Sequence, residues 1–522
     1  MAGCGDDSGG STGEAGGTTV PGATAAPSTT AQPVAGGKVS LMLAAETRGM
    51  DPVQVAGASG LGGEPVRMYA VYDALVLTDN KTNEVTPMVA ESLTSSDNIV
   101  WTLKLRPNVK FNDGTPYDAE AVKFNWERHA DPALRSTSAA TVNGLSMEVV
   151  DASTLKITLK VENGSFPRVV ASQLNWQASP TAVKAKGADY GKTPADIVGA
   201  GPFLLKEWVR DSRMVLTKNP TYWRSGQPYI DELEIRILSD ETQRFNSLTT
   251  NEVDVTYLNT LPIQKQAKDA GITVQTVNGI GSNGFNFNMQ KEPFDDARIR
   301  RAVRLAVDPV QLNQVTTDGL GEPITSWFTK TNPFYDAAGE FPKFDATEAQ
   351  RLIDAWVTEK GKNLEFTIKS NDAPSTVKAA EFVAASLNKL QKVSVKTQTM
   401  PQAQSTTDLR NRNYEMIPYA YLGADPEPQW YETWHSKGTR NLTGFANTTV
   451  DAALVRARNA KDLAARKAEY ASMQKLLIDD GIPMLLYQRS QTALSFKPNK
   501  VQDIAIWEDG GGIFLERLWI KK

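Results

Sequence analysis

Cys4 is the one cysteine of this 522-residue chain, so no disulfide within the chain can hold its fold together. From Gly5 to Gly37 a tract follows that is built almost wholly of Gly, Ser, Thr, Ala and Pro. Such a tract has too little apolar surface to offset the entropy lost on ordering it. We therefore predict a disordered tether over residues 1–37. The rest of the chain must fold by burying apolar cores, and its length suits roughly two or three domains.

The residues around the cysteine resemble the end of a bacterial lipoprotein signal. In Met1-Ala2-Gly3-Cys4, Met1 stands where that signal has leucine, and its charged and apolar parts are missing, as in a trimmed chain or after a late start codon. The resemblance implies a lipid on Cys4 that anchors the protein to a cell membrane, with the folded part in the extracytoplasmic space. A stray cysteine in a disordered tail is the alternative. No run of about 18 apolar residues predicts a membrane-spanning helix.

Charge and histidine content argue against several function classes. The 56 basic and 60 acidic residues are scattered along the chain and give a net charge of −4, so we expect no nucleic-acid partner. His129 and His435 each lack a second histidine at metal-ligand spacing, and no cysteine pair is present, so we predict no metal site and no cofactor. The acid pairs at 295–296 and 479–480 favour helix-capping or solvated roles over acid-base catalysis.

Three short motif matches do not predict chemistry. Residues 279–284 fit the dinucleotide pattern GxGxxG, but residues 285–288 alternate as a strand does, and without a helix N-terminus there is no phosphate cradle. Residues 187–193 resemble a P-loop that is one residue too short. Residues 9–13 match GxSxG within the predicted tether, where no strand-turn-helix can expose the serine.

Hydrophobic periodicity predicts alternating strands and helices throughout the chain, which favours an α/β or α+β fold with more than one lobe. Alternating apolar residues predict strands at 38–44, 100–105, 199–208, 213–218 and 230–238, and a hairpin at 147–161. Helical spacing and capping residues predict helices at 118–129, 240–251, 295–307, 347–359, 375–391, 450–458 and 461–478.

Several motifs occur in an order that resembles a known family. They are Phe111-Asn112-Asp113-Gly114-Thr115-Pro116, Gly199-Ala200-Gly201-Pro202-Phe203, Asn219-Pro220-Thr221-Tyr222-Trp223, Glu252-Val253-Asp254 and Gly423-Ala424-Asp425-Pro426-Glu427-Pro428. From about Lys38 to the C-terminus, the chain resembles the extracellular solute-binding proteins of family 5. These are the oligopeptide, dipeptide and nickel receptors of ABC importers.

The resemblance implies a mixed α/β fold of the periplasmic-binding-protein type II, in which two lobes close on a solute and a small extra domain is inserted in the first lobe. On this sequence we expect the small domain at 53–177 and the second lobe at 283–487. The first lobe would comprise residues 38–52, 178–282 and 488–522. Ligand-driven closure would then signal occupancy to a permease.

In peptide-binding relatives, the strand before the Asp-Pro motif pairs with the ligand backbone, and an aspartate meets the ligand's ammonium group. The resemblance places these roles on Tyr419, Ala420, Tyr421, Leu422, Gly423 and Asp425. A buried carboxylate facing an amine is a charge-assisted pair that gives specificity. Asp425 instead starts a turn before Pro426 in the alternative interpretation. Some relatives carry an arginine for the ligand carboxylate where this chain has Tyr419, and Arg410 or Arg412 is a possible substitute.

The resemblance also implies contacts from the first lobe, the small domain and the hinge. These residues are Ala58, Ser59, Gly60, Trp176, Asn283 and Phe285. Small residues permit close backbone approach, amides supply hydrogen bonds without charge, and aromatic faces stack on ligand groups. Each aromatic residue has core packing as its alternative role.

The sequence as a whole therefore predicts a monomeric, lipid-anchored receptor of an ABC importer that binds an oligopeptide or dipeptide and is not an enzyme. A receptor for a sugar, an opine-like conjugate or another small polar solute is the alternative within the family. A surface hydrolase would need a base near a nucleophile, and a purely structural lipoprotein would show no stabilisation by any solute.

Overall fold

The computed structural model describes residues 32–47, 49–55, 63–79, 84–422, 425–460, 462–507 and 511–521. Contacts between residues divide the chain into two units, Met1–Pro33 and Val34–Lys522, and the described helices and strands lie in the second. No helix in the described ranges is long and apolar enough to cross a membrane.

The strands of the described residues fall into one large sheet, one four-stranded sheet and two small pairs. In chain order they are β1 (Lys38–Leu43), β2 (Val76–Thr78), β3 (Val85–Pro87), β4 (Ala90–Ser95), β5 (Val100–Leu105), β6 (Leu145–Asp151), β7 (Thr154–Leu159), β8 (Phe203–Val209), β9 (Arg213–Lys218), β10 (Glu232–Ile237), β11 (Val255–Tyr257), β12 (Thr273–Phe287), β13 (Leu364–Asn371), β14 (Val393–Met400), β15 (Met416–Leu422), β16 (Met484–Phe496), β17 (Val501–Gln502) and β18 (Trp519–Ile520).

Helices alternate with these strands along the chain. They are α1 (Pro52–Val55), α2 (Gly63–Tyr72), α3 (Ala119–Arg128), α4 (Ala139–Val142), α5 (Phe166–Gln173), α6 (Pro180–Lys186), α7 (Glu241–Thr249), α8 (Leu261–Asp269), α9 (Ala297–Ala306), α10 (Pro309–Thr317), α11 (Ala346–Lys360), α12 (Pro374–Leu387), α13 (Gln402–Arg410), α14 (Gln429–Trp434), α15 (Thr448–Arg458) and α16 (Leu463–Asp479). Short 3-10 turns lie at Pro132–Leu134, Gly187–Asp189, Pro194–Asp196, Ala337–Gly339 and Leu515–Arg517.

Capping residues in the sequence set many of the helix ends. Asp118 begins α3 and accepts a hydrogen bond from the Ala121 N–H, and Asp240 does the same for α7 through the Gln243 N–H. Asp462 begins α16 through the Ala465 N–H. The helices predicted at 118–129, 240–251 and 461–478 are confirmed, with ends that differ by up to two residues. The GxGxxG match lies inside β12, so the strand interpretation of that segment is also confirmed.

The large sheet has ten strands in the order β14-β13-β15-β12-β16-β11-β1-β10-β9-β8. Its two halves bury separate cores. One core lies around β1 and β8–β11, and we call this half the first lobe. The other half, the second lobe, packs α9, α11 and α12 on one face of β12, β13, β15 and β16, and it packs α14–α16 on the other face.

A separate four-stranded sheet, in the order β4-β5-β7-β6, forms the small domain with α3 and α5. Trp126 of α3 is fully buried in its core, 6.3 Å from the Phe166 ring of α5, and its indole N–H donates to the Leu174 carbonyl at 2.9 Å. Truncating so large a buried side chain costs about 3–5 kcal/mol. Helix α2, which lies within the predicted small-domain range 53–177, packs in the core of the first lobe. The domain boundaries stay a prediction.

Candidate ligand-binding cleft

Strands β12 and β16 run through both lobes and connect them. In the first lobe Thr273 to Asn278 pair with Phe496 to Gln491, and in the second lobe Ser282 to Asn286 pair with Arg489 to Met484. The register shifts between Asn278 and Ser282, at the passage from one lobe to the other. A second register shift lies between Asn283 and Gly284. Two strands whose pairing is irregular over this short stretch form a natural hinge, because few backbone hydrogen bonds resist bending there.

Strand β15 has one unpaired edge. It pairs antiparallel with β12 along its whole length, from Met416 to Leu422. On its other side, β13 pairs with it at a single position, Ile368 opposite Met416, in the described residues. Ala420 is exposed on this strand. An open strand edge presents N–H and C=O groups to which an extended chain can pair.

The alternation of β15 separates the predicted contacts on it. Tyr421 is 7% exposed, its ring stacks on Trp434 at 5.4 Å, and its hydroxyl donates to Asn286 Oδ1. Burial raises the pKa of Tyr421 well above its ordinary value. Tyr419, half-buried, lies 4.6 Å from Tyr421 between ring centroids. Both tyrosines therefore belong to the aromatic packing of the second lobe, and Ala420 is the exposed position between them.

The two predicted contacts on β12 differ in the same way. Asn283 lies opposite Ala420 and is half-buried beside the hinge. Phe285 is 0% exposed, and its ring lies 5.2 Å from the Tyr487 ring in the core of the second lobe. Phe285 lies on the same strand face as Asn283, because side chains two residues apart point to the same side. Phe285 is further along β12, where the helices of the second lobe cover that face. The structure therefore gives Phe285 a packing role and leaves it no surface for a ligand.

Trp176 follows α5 and packs at the edge of the first lobe. It is half-buried, and its ring lies 6.3 Å from the Trp507 ring in a T-shaped contact. In the second lobe, Trp434 is fully buried and Trp430 is 7% exposed. Aromatic faces thus line the interior of the second lobe more than its surface.

Asp425 follows β15, at the boundary between the second lobe and the small domain. Its carboxylate is 5% exposed. Arg466 of α16 donates to both of its oxygens, at 2.7 Å and 3.1 Å, and the Glu427 N–H donates at 2.9 Å. Arg168 of α5 reaches across from the small domain to Oδ2 at 3.2 Å. The Asx turn to Glu427 agrees with the alternative interpretation of the Asp-Pro pair, and the two arginines neutralise the carboxylate.

Two more contacts join α5 and the segment before it to the second lobe. The Gly164 N–H donates to Asn459 Oδ1 at 3.3 Å. Gln173 Nε2 donates to Glu432 Oε1 at 3.3 Å, and burial raises the pKa of Glu432. The small domain and the second lobe are therefore in direct contact in this structure.

Two further polar residues at the hinge, Gln488 and Ser490, were not predicted from the sequence. Gln488 Oε1 and Ser490 Oγ are buried and have no hydrogen-bond partner in the described part of the chain. Both lie in β16, in the polar run from Gln488 to Thr492 that interrupts an otherwise apolar strand. That run is the signal that could have found them, because a buried strand has no packing reason to become polar in its middle. Arg168 and Arg466 gave no such signal.

Several predicted positions lie outside the described residues. These are Cys4, Ala58, Ser59, Gly60 and Gly423, and the side chain of Leu422. Among the described side chains, no group of three His, Cys, Asp or Glu is placed to hold a metal ion. His129 donates or accepts one hydrogen bond with Ser136 Oγ at 2.6 Å, and burial lowers its pKa to about 4.

Comparison with known proteins gives one family and a set of similar folds. A family model described as bacterial extracellular solute-binding proteins, family 5 middle, matches residues 84–442. The periplasmic murein peptide-binding protein MppA of Escherichia coli (strain K12) is 27% identical over 495 residues, which cover 87% of this chain and 90% of that protein.

Two solved structures illustrate the similarity in fold. The oligopeptide-binding protein AppA from Bacillus subtilis, in complex with a nonapeptide, superposes with a TM-score of 0.76 at 19% identity and covers 94% of this chain and 100% of its own. The PBP AgaA from A. tumefacien R10, in complex with agropinic acid, has a TM-score of 0.77 at 23% identity and covers 93% and 99%. These superpositions confirm the predicted mixed α/β, two-lobed fold class.

Proposed function

The chain belongs to the bacterial extracellular solute-binding proteins of family 5, and from that membership we propose that it captures an oligopeptide between its lobes and delivers it to the permease of an ABC importer. The matched region, residues 84–442, includes the small domain sheet and β15. The protein acts as a receptor and not as an enzyme. Binding requires complementary surfaces and closure, and it needs no reacting group.

The unpaired edge of β15 is the observation that carries the peptide proposal. An extended peptide satisfies its own backbone donors and acceptors by adding a strand to such an edge, and this recognition is independent of side-chain identity. Ala420 leaves room beside the edge, and Asn283, opposite Ala420 on β12, offers an amide on the same face of the sheet. Gln488 and Ser490, with unpartnered oxygens at the hinge, supply further polar groups without net charge.

The ligands named for the relatives support peptides as the ligand class and leave a small polar conjugate as the alternative. MppA is a murein peptide-binding protein, and AppA was solved with a nonapeptide, so peptides occur as ligands of similar proteins. AgaA was solved with agropinic acid. A small polar conjugate of that kind is the second candidate here, because Asp425 is already neutralised by two arginines and a zwitterionic ligand end has no free counter-charge there.

A thermal-shift experiment on the full chain tests the proposal. The probes are a pool of tri- to nonapeptides with free and with N-acetylated amino ends, a mixture of mono- and disaccharides, and agropinic acid, each in large excess. A ligand at about 100 times its Kd stabilises the folded state by roughly 2.7 kcal/mol, so the peptide pool should raise Tm by several degrees. A rise in Tm with agropinic acid or sugars alone would mean that the receptor binds that solute and not a peptide. No change in Tm with any probe would contradict the receptor function.

A variant pair locates the site. Ala420→Trp places a large ring beside the free edge of β15 and should lower peptide affinity about tenfold or more, while the Tm of the unliganded protein stays within a few degrees. Ala133→Trp makes the same substitution at an exposed position of the small domain and should leave affinity unchanged. Equal peptide affinities of the two variants would mean that the peptide does not bind at the free edge of β15.

The lipid anchor is part of the same proposal. Cys4 would carry the lipid, the tether would let the folded part move above the membrane, and a monomer would present the loaded cleft to the permease. Expression behind the charged and apolar parts of a lipoprotein signal, in a bacterial host with an alkyne-labelled fatty acid, should label the wild-type chain and leave Cys4→Ser unlabelled. Label on both chains, or on neither, would contradict an anchor at Cys4.

A further inference from the structure

Four donors surround the carboxylate of Asp425. Arg466 Nη2 and the Glu427 N–H donate to Oδ1, at 2.7 Å and 2.9 Å. Arg466 Nη1 and Arg168 Nη2 lie at 3.1 Å and 3.2 Å from Oδ2. An ionised carboxylate has about four lone-pair positions, two on each oxygen. Every acceptor position of this carboxylate is therefore occupied. A ligand ammonium group can bind Asp425 only when one of these donors has moved away.

Three of the four donors are built into the second lobe. Arg466 is 9% exposed, and its guanidinium lies over the Phe334 ring at 5.1 Å. The Glu427 N–H is fixed by the backbone two residues after Asp425. Arg168 comes from α5 of the small domain, so its contact forms when the two bodies meet and is lost when they separate. Arg168 is therefore the donor that closure adds and opening removes.

The neighbouring acid does not provide a second place for a cation. Glu427 Oε2 accepts from Arg458 at 2.8 Å, and its Oε1 accepts from the Tyr470 hydroxyl at 3.2 Å. Asp425 and Glu427 thus face Arg168, Arg458 and Arg466. Three positive charges stand against two negative charges, so the cluster carries one net positive charge. A ligand ammonium brought into this cluster in the closed state would meet like charge, which is costly where water is largely excluded.

We propose that Arg168 is a specificity-determining residue, whose guanidinium occupies Asp425 in the closed state in place of a ligand ammonium group. The receptor therefore selects peptides whose end at this point carries no positive charge, such as amino-blocked peptides. This inference rests on the proposed peptide-binding function. It assigns the role to a residue of the small domain, outside the strand that pairs with the peptide.

The test compares two pools of synthetic pentapeptides, Ala-Ala-Xaa-Ala-Ala with a free amino terminus and the same pool N-acetylated. Full-length wild type, Arg168→Gln, Arg168→Met and Arg135→Gln are each incubated with both pools, and retained peptide is quantified by native mass spectrometry. Arg135 is an exposed arginine of the same domain, so its variant removes the same charge away from Asp425. Arg168→Met preserves the aliphatic stem should the glutamine variant fold poorly.

The decisive quantity is the ratio of free to acetylated peptide retained. Both Arg168 variants should raise this ratio roughly tenfold or more over wild type, because a charge-assisted hydrogen bond to Asp425 becomes available to the ammonium. Arg135→Gln should match wild type. An unchanged or lower ratio in the folded Arg168 variants would overturn the role of Arg168 and leave the peptide receptor standing. No retention of either pool by wild type would instead overturn the peptide function, and this inference with it.

Discussion

At the scale of single residues, Glu516 has the clearest pH consequence. Its carboxylate is fully buried, Arg224 donates to one oxygen at 2.8 Å, and the Tyr69 hydroxyl donates to the other at 2.9 Å. Burial raises the pKa of Glu516 from 4.5 to about 7, and the nearby charge of Asp73 adds to this rise, whereas Arg224 opposes it. The folded state therefore binds a proton more tightly than the unfolded chain, and the free energy of unfolding falls as pH rises from about 4.5 to about 7.

Replacing Glu516 by glutamine should remove this slope. Relative to Glu516→Gln, the wild type should lose on the order of 1–3 kcal/mol of unfolding free energy between pH 5 and pH 8, because the buried carboxyl must give up its proton in that window. Urea unfolding of both proteins at the two pH values measures the difference. A difference between the two proteins that is the same at pH 5 and pH 8 would show that Glu516 does not titrate there.

A second residue-scale prediction concerns Arg489, in β16 at the hinge. Its guanidinium donates to the carbonyls of Ser326, Trp327 and Phe328 and to Ser282 Oγ, at 2.6–3.2 Å. Burial lowers its pKa to about 10. Arg489→Met would leave these acceptors unpaired and should lower the unfolding free energy by about 2–4 kcal/mol in urea unfolding.

An exposed arginine provides the control for this loss. Arg213 pairs with Glu207 on the surface, where solvent screens the pair, so Arg213→Met should leave the unfolding free energy close to that of the wild type. Similar losses in the two variants would mean that the loop at residues 326–328 does not depend on Arg489.

At the scale of elements, the segment leading into α5 approaches the backbone of the second lobe closely. A Cβ on Gly164 would lie 2.7 Å from the Arg458 carbonyl oxygen, which is too close for a stable contact. Gly164→Ala should therefore oppose closure and lower ligand affinity roughly tenfold, measured by calorimetry with a peptide found in the thermal-shift screen.

A glycine within the small domain separates this effect from a general loss of backbone freedom. A Cβ on Gly144 would meet the Thr141 carbonyl of the same domain at 3.1 Å, so Gly144→Ala should change stability more than affinity. If Gly164→Ala binds the peptide as tightly as wild type, the contact with Arg458 is not required in the bound state.

Elements with strong local signals were predicted well from the sequence. The Asp caps of α3, α7 and α16 and the alternation of β1, β5 and β9 fixed their positions within a few residues, because hydrogen bonds to the first helical turn and strand alternation are local properties. Within the predicted site, burial divides the residues of β12 and β15 between core and surface. Phe285 and Tyr421 were predicted as ligand contacts, and they lie in the core because their strand faces point under helices.

At the scale of the whole molecule, strands β12 and β16 connect the two lobes, and α5 of the small domain contacts the second lobe. Peptide binding should increase the population in which Arg168, Gly164 and Gln173 contact the second lobe, because these contacts and the bound peptide favour the same closed arrangement. Since Cys4 is the one cysteine, site-specific labels can report this directly.

A labelling experiment checks the closure. Cys4→Ser with Glu162→Cys and Lys437→Cys puts one label on the small domain and one on the second lobe, both at exposed positions. The distance distribution between them should narrow and shift to shorter values when peptide is added. The same pair with Gly164→Ala should respond at higher peptide concentration. A distribution that peptide leaves unchanged in both proteins would contradict ligand-driven closure.

The sequence by itself determined the class of fold, the family and the position of most helices and strands, because periodicity, caps and ordered motifs are encoded in neighbouring residues. It also indicated the strand that offers a free edge. The tertiary structure decided which side chains surround Asp425. Arg168 and Arg466 lie far from it in the chain and meet it through the packing of α5 and α16, and no local pattern records such a meeting. Burial, and with it the pKa of Glu516, is likewise a property of the assembled core.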